Sequence, residues 1–135
     1  MKQITLAFVE DHKLVRQMWM TLFEEMPEVK IAGESGSLAE AIPMITEQQP
    51  DIVLLDINLP DASGLDAVPY ILESSPNTRI VAVSMHNQAS YARQMLELGA
   101  RAYVTKNSSP EEIFEAVKAV MRGEQYICEE IRNAN

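Results

Sequence analysis

The chain has 135 residues, 47% of them hydrophobic, which suits one domain with its own core and excludes both a disordered tract and a mini-protein that needs staples. With 20 acidic residues against 11 basic, the formal net charge is -9; such a surface repels phosphate backbones, argues against nucleic-acid binding by this segment alone, and suits a bound cation or a basic partner. Cys128 is the single cysteine, which excludes an internal disulfide and a cysteine-based zinc site and leaves it as a small packing residue.

Ile4 to Val9 is an apolar run that acids end, and it predicts the first strand. His12 to Met26 repeats apolar residues at helical spacing, with Leu14, Met18 and Leu22 along one row and Val15, Trp19 and Phe23 along the next; Pro27 stops it. Val29 to Gly33 predicts a short second strand. Leu38 to Gln49 predicts a second helix that Pro43 should bend or restart and Pro50 ends. Ile52 to Leu55 is an unbroken aliphatic run, the mark of a strand buried on both faces, and Asp56 follows at once. After a loop from Asn58 to Gly64 comes a third helix, Asp66 to Ser75, with Pro69 as an alternative start. Ile80 to Val83 predicts another buried strand, ending at Ser84. Ser90 to Leu98 is a fourth helix closed by Gly99. Ala102 to Thr105 is a fifth strand, followed by Lys106. In the last helix Ser109 caps, Pro110 suits the first turn and Glu112 completes a capping box; Ile113, Val117 and Val120 give it a buried stripe, and Gly123 ends it. The expected divisions are a domain over 1–123 and a tail, or the start of a linker, over 124–135.

No apolar run approaches the ~20 residues of a membrane span. The N-terminus passes from Met1, Lys2 and Gln3 through a short apolar stretch straight to Glu10 and Asp11, which is no secretory signal, so the chain reads as cytoplasmic and without a membrane partner.

Strand and helix alternate five times over, which predicts an α/β fold with a parallel sheet and helices on both faces. In such a sheet ligands bind beyond the carboxyl ends of the strands. Glu10 and Asp11 stand at that end of the first strand, Asp56 of the third, Ser84 of the fourth and Lys106 of the fifth. Taken singly, each has a plainer role: the acids cap a helix, the serine makes a turn, the lysine is solvated. Taken together they place three carboxylates, a hydroxyl and an ammonium on one rim. Clustered carboxylates repel unless a cation joins them, and their hard oxygens suit Mg²⁺. Asp56 can then act as a nucleophile toward phosphorus, with Lys106 and the metal offsetting charge on the phosphoryl oxygens and Ser84 donating a hydrogen bond.

The acid pair Glu10-Asp11, the stretch Asp56-Ile57-Asn58-Leu59-Pro60 leading to Gly64, Ser84 after Ala82-Val83, and Gly99-Ala100-Arg101-Ala102-Tyr103-Val104-Thr105-Lys106 resemble the receiver domain of bacterial two-component response regulators, over roughly Ile4 to Arg122. Asn107-Ser108-Ser109-Pro110-Glu111-Glu112 further resembles the subfamily that carries a LuxR-type helix-turn-helix domain after the receiver. The resemblance implies a flavodoxin-like, doubly wound five-stranded sheet of order 2-1-3-4-5. It implies Asp56 as phosphoacceptor from a phosphohistidine on a sensor histidine kinase. Glu10, Asp11, Asp56 and the backbone carbonyl of Asn58 would hold Mg²⁺. Ser84 and Lys106 would hold the phosphoryl oxygens, and Tyr103 would be the aromatic switch that turns inward as the Ser84 hydroxyl moves. The output face is the surface of the fourth helix, fifth strand and fifth helix. Homodimerisation on phosphorylation and DNA contact through an output domain outside this chain are the partners it implies. Many receivers place proline after the lysine, with a cis bond; here Asn107 follows, for which a cis bond costs ~3–4 kcal/mol.

Asn58 and His86 lie two residues after Asp56 and Ser84, where they would flank the site and tune the lifetime of an aspartyl phosphate. His12 reads as a surface residue at a helix start rather than a phosphodonor, and Trp19 as packing. The eight methionines read mostly as core filling. Three competing functions are weaker. A haloacid-dehalogenase-type phosphatase wants an aspartate where Asn58 stands. A nucleotide or flavin module wants glycines where Asp11-His12-Lys13-Leu14 follow the first strand. A phosphorylation-independent docking receiver does not need the acid pair, Asp56, Ser84 and Lys106, while a stand-alone receiver stays an alternative. The expected class is a regulatory phosphoacceptor, not a turnover enzyme.

Overall fold

Short apolar runs that must be buried on both sides become the middle of a sheet, and the longer amphipathic segments cover its two faces. The computed structural model describes residues 3–133; Met1 and Lys2, and Ala134 and Asn135 at the end of the expected tail, lie outside them. The order is β1 (Ile4–Val9), α1 (Lys13–Glu24), β2 (Val29–Ser35), α2 (Leu38–Gln48), β3 (Ile52–Asp56), β4 (Asn58–Leu59), β5 (Ala62–Ser63), α3 (Gly64–Ser74), β6 (Arg79–Ser84), α4 (Ala89–Leu98), β7 (Ala102–Thr105), α5 (Pro110–Met121), β8 (Tyr126–Ile127) and α6 (Glu129–Arg132). The main sheet runs β2-β1-β3-β6-β7-β8, every pairing parallel, and β4 and β5 form a separate small antiparallel hairpin. Its first five strands have the expected order 2-1-3-4-5, and the fold is the expected α/β class.

β3 is buried along its whole length, as an aliphatic run between two helical layers requires. Helices α2, α3 and α4 pack side by side, while α1 and α5 meet across Phe23 and Phe114, whose rings stand edge to face at 5.3 Å. Phe8 of β1 touches both Trp19 and Phe23 at ring separations of 6.0 and 5.9 Å, so Trp19 is packing, as expected.

Several local expectations need correction. Pro43 does not restart α2, which runs through it, since losing one backbone hydrogen bond is tolerated once the helix is anchored by Ala41 and Ile45 in the core. Asp61 helps that helix start: its carboxylate accepts from the N–H groups of Leu38 and Ala39, both at 3.0 Å, and this holds its pKa below the ordinary aspartate value. α3 begins at Gly64, before both expected starts. Only one of the two apolar rows on α1 is buried: Trp19 and Phe23 are inside, while Leu14 is 80% and Met18 52% exposed. The methionines are likewise split, with Met26 and Met95 buried but Met18 and Met85 exposed.

The capping box of α5 is half formed. Ser109 accepts from the Glu112 N–H at 3.1 Å, but the Glu112 carboxylate turns to the tail, accepting from the Tyr126 hydroxyl at 2.9 Å and the Glu129 N–H at 2.7 Å. That tail adds a sixth strand. Gly123, at φ 81°, turns the chain back; the Tyr126 and Cys128 N–H groups then donate to the Arg101 and Tyr103 carbonyls, and Cys128 and Ile131 enter the core. Gly99 closes α4 at φ 121°, a conformation that favours glycine, as its position in the sequence suggests.

Candidate functional site

Parallel strands that start together also end together, so the residues after β1, β3, β6 and β7 share one rim. Glu10 leaves the end of β1 fully buried; its N–H donates to Ser35 at the end of β2. Asp56 is the last residue of β3 and is also fully buried. One of its oxygens, Oδ1, accepts from the Asn58 N–H at 2.9 Å, and the other, Oδ2, accepts from Lys106 Nζ at 3.2 Å. Lys106 reaches back from the turn after β7 and also lies 3.4 Å from Glu10 Oε1. Five strand-end residues were expected to converge, and Glu10, Asp11, Asp56 and Lys106 do so directly.

A single ammonium cannot balance three carboxylates. Burial pushes the Glu10 carboxyl up to about 7, and the nearby Asp56 adds to this. Burial would raise Asp11 as well, but the neighbouring Glu10 and Asp56 carboxyls and His12 hold it below the ordinary value. Burial also opposes charge on Lys106, yet Asp56 and Glu10 outweigh it and keep its pKa above the ordinary lysine value. Two buried oxygens, Glu10 Oε1 and Asp11 Oδ1, accept no well-formed hydrogen bond among the described residues; Lys106 Nζ and His12 Nδ1 stand 3.4 Å from them without donating along the bond axis. Orphaned buried acceptors of this kind want a cation. Ligand atoms of Glu10, Asp11, His12 and Asp56 all lie within 4.8 Å of one another, so a small hard ion fits between the carboxylates.

His12 is the exposed residue at the start of α1 that its position predicts, and the structure also brings it to the cluster. Its backbone N–H donates to Glu10 Oε2 at 3.0 Å, and its Nδ1 lies 3.2 Å from the same oxygen, although the ring is 64% exposed. Nothing in a lone histidine after two acids announces this, because the contact depends on how the loop folds back.

Ser84 and Tyr103 are buried, and both bond to the backbone of His86. Ser84 Oγ accepts from the His86 N–H at 2.9 Å and its hydroxyl also interacts with that of Tyr103, which donates to the His86 carbonyl at 2.8 Å. Tyr103 is turned inward, and burial pushes its phenol up to about 12. The His86 ring itself stacks on Tyr91 at 4.7 Å, and Tyr91 in turn meets Tyr103 edge to face at 6.4 Å. Asn58 and His86 line one shallow groove beside the site, of about 470 Å³, with Leu59, Pro60, Ser63 and Tyr91. Asn58 also ties the two loops, since its Oδ1 accepts from the Met85 N–H at 3.1 Å. No peptide bond among the described residues is cis, so Lys106–Asn107 is trans.

Known proteins agree with this geometry. The family described as response regulator receiver domain matches residues 6–118. The uncharacterized transcriptional regulatory protein YxjL of Bacillus subtilis is 30% identical over 122 residues, covering 90% of this chain and 56% of the relative. The response regulator GacA of Pseudomonas viridiflava is 30% identical over 128 residues, covering 95% and 60%. The chain thus spans little more than half the length of these curated relatives. A crystal structure of a two-component response regulator of the LuxR family from Aurantimonas sp. SI85-9A1 superposes with a TM-score of 0.90 at 31% identity, covering 97% of this chain and 94% of that one. No helix among the described residues is long and apolar enough to cross a membrane. Fold, rim and relatives agree: the chain belongs to the response regulator receiver domains, the regulatory phosphoacceptor modules of two-component signalling, and is similar to those of LuxR-family regulators.

Proposed function

We propose that Asp56 accepts a phosphoryl group from a phosphohistidine on a sensor histidine kinase and that the acyl phosphate switches the α4–β7–α5 face. The contact of Lys106 with Asp56 Oδ2 supports this reading most directly, because it brings a cation to the carboxylate that would react. The chemistry is a displacement at phosphorus: a carboxylate oxygen of Asp56 forms the new O–P bond as the P–N bond to histidine breaks. Lys106 follows the phosphoryl oxygens that replace its carboxylate partner. Ser84 would donate its hydroxyl hydrogen to another of them. Glu10, Asp11, Asp56 and the carbonyl of Asn58 would hold Mg²⁺, which when bound would neutralise charge on the phosphoryl group. The orphaned oxygens of Glu10 and Asp11 supply the motive for that ion.

Movement of Ser84 toward a phosphoryl group would release the His86 N–H, and with it the His86–Tyr103 link that holds the β6–α4 loop. The switch is thus a shift between two arrangements of that loop. Asn58 and His86 would tune how water reaches the acyl phosphate. Replacing either and timing loss of the phosphoryl group tests this; unchanged lifetimes in both would refute it. The receiver, whose sheet and core take in Tyr126 to Ile131 beyond the expected boundary at 123, would act through an output domain that binds DNA and controls transcription; homodimerisation would follow phosphorylation, in a cytoplasmic setting. Phosphotransfer from an autophosphorylated histidine kinase is the test. Transfer that stops in Asp56→Asn supports the reading. A phosphorylation-independent docking module would show no transfer from any donor.

A further inference from the structure

One charged side chain near the rim is not used by the chemistry above. Arg16 lies on α1, one turn after His12, and its backbone N–H donates to the His12 carbonyl at 3.0 Å. Its guanidinium makes two bonds away from its own helix. Nε donates to Glu34 Oε1 of β2 at 2.8 Å, and Nη1 donates to the backbone carbonyl of Glu10 at 2.7 Å. The side chain is only 18% exposed.

That carbonyl belongs to the peptide joining Glu10 to Asp11, the two residues whose carboxylates face each other. A peptide unit is planar, so fixing its oxygen fixes the plane from which both acids depart. The other end of Glu10 is held too, because its N–H donates to Ser35 at 3.0 Å. Between Val9 and Lys13 there is no regular element, and His12 caps α1 without a side-chain bond. Without a clamp, mutual repulsion would splay the acid pair. Room for the clamp is left by Gly36: a Cβ there would stand 3.0 Å from Arg16 Nη1.

A bare guanidinium beside a cation site would also repel the cation. Glu34 cancels that charge, leaving a rigid donor with little net field. We infer that Arg16 is a positioning residue: with Glu34 as counter-charge and Gly36 as clearance, it fixes the Glu10–Asp11 peptide and thereby sets the affinity of the acid pair for Mg²⁺. This rests on the phosphoacceptor reading, and it concerns how tightly the ion binds, not the transfer step.

The test uses the whole chain with Mg²⁺ alone and then with acetyl phosphate. Arg16→Gln and Arg16→Lys should weaken Mg²⁺ binding by isothermal titration by about tenfold, as loss of groups that orient metal ligands does elsewhere. The Mg²⁺ concentration for half-maximal phosphorylation should rise in step, while the rate at saturating Mg²⁺ stays within about twofold of wild type by the same reasoning. Glu34→Gln should also weaken binding, and less so in high salt, because its part is charge balance. Gly36→Ala should push the guanidinium aside slightly and weaken binding in the same direction, but less than Arg16→Gln, in a variant that keeps both charges. Folded variants with unchanged Mg²⁺ affinity would overturn the inference, as would a loss of saturating rate with no change in affinity. A wild-type chain that neither binds Mg²⁺ nor takes a phosphoryl group would instead refute the phosphoacceptor reading on which it rests.

Discussion

Glu10 and Asp56 are both fully buried, and Lys106 faces them with one charge. Removing a carboxylate therefore relieves repulsion more than it breaks a pair. Asp56→Asn should fold as well as wild type and, in the presence of a chelator, melt a few degrees higher, a gain of about 1 kcal/mol. Thermal unfolding followed by circular dichroism checks this; a fall of several degrees would contradict it. Lys106→Met leaves two buried acids facing each other and should destabilise the metal-free protein by about 1–3 kcal/mol, discounted because the lysine is partly exposed. Glu10 gives the pH dependence its sign. Its folded pKa of about 7 lies above the ordinary 4.5, so the folded state holds the extra proton between those values. Its contribution to metal-free stability is therefore fully present below pH 4.5 and lost as pH rises to about 7, opposite to the usual paired carboxylate. Urea midpoints with a chelator should fall across that window through this group, and Glu10→Gln should flatten the slope.

Among the elements, the last two carry the most unexpected packing. β8 and α6 cover the edge of β7, and Glu130 ties the end of β7 to the loop before α4: its Oε1 accepts from Thr105 at 2.6 Å and its Oε2 from Asn87 Nδ2 at 3.3 Å. Ile131 is buried against this edge, so Ile131→Ala should cost about 2 kcal/mol, the low end for an aliphatic truncation because the site lies at the margin of the core. Denaturant unfolding measures it; a change within ±0.5 kcal/mol, the usual surface effect, would show that the segment is not part of the folding unit. A two-residue strand and a one-turn helix leave no periodicity, which is why residues 124–133 read as a tail. Glu112 was legible as a capping residue from its spacing to Ser109, but its carboxylate goes to a partner that only the tail's return brings near. Likewise Leu14 and Trp19 belong to equally apolar rows of α1. Packing against Phe8, not periodicity, decides that Trp19 is the buried one.

At the scale of the molecule, the parallel sheet converts sequence order into a site. Every main strand from β1 to β7 runs the same way, so residues far apart in the chain stop at one rim. That is why the convergence of Glu10, Asp11, Asp56, Ser84 and Lys106 on one rim could be read from strand ends alone: buried aliphatic runs mark where each strand stops, and these residues stand at or just after the stop. Contacts that do not follow strand order were not legible. His12 on Glu10, Arg16 between Glu34 and the Glu10 carbonyl, and His86 between Ser84 and Tyr103 all depend on loop paths and long side chains. The same topology puts the Ser84–His86–Tyr103 chain at the ends of β6 and β7, where the proposed switch would need it. The most direct measurement is intact-protein mass spectrometry after incubation with acetyl phosphate and Mg²⁺. One phosphoryl group should be added to the wild-type chain, sensitive to hydroxylamine as an acyl phosphate must be, absent with a chelator, and lost in Asp56→Asn. An adduct that persists in Asp56→Asn, or no adduct from acetyl phosphate or from a phosphorylated histidine kinase, would contradict Asp56 as the phosphoacceptor.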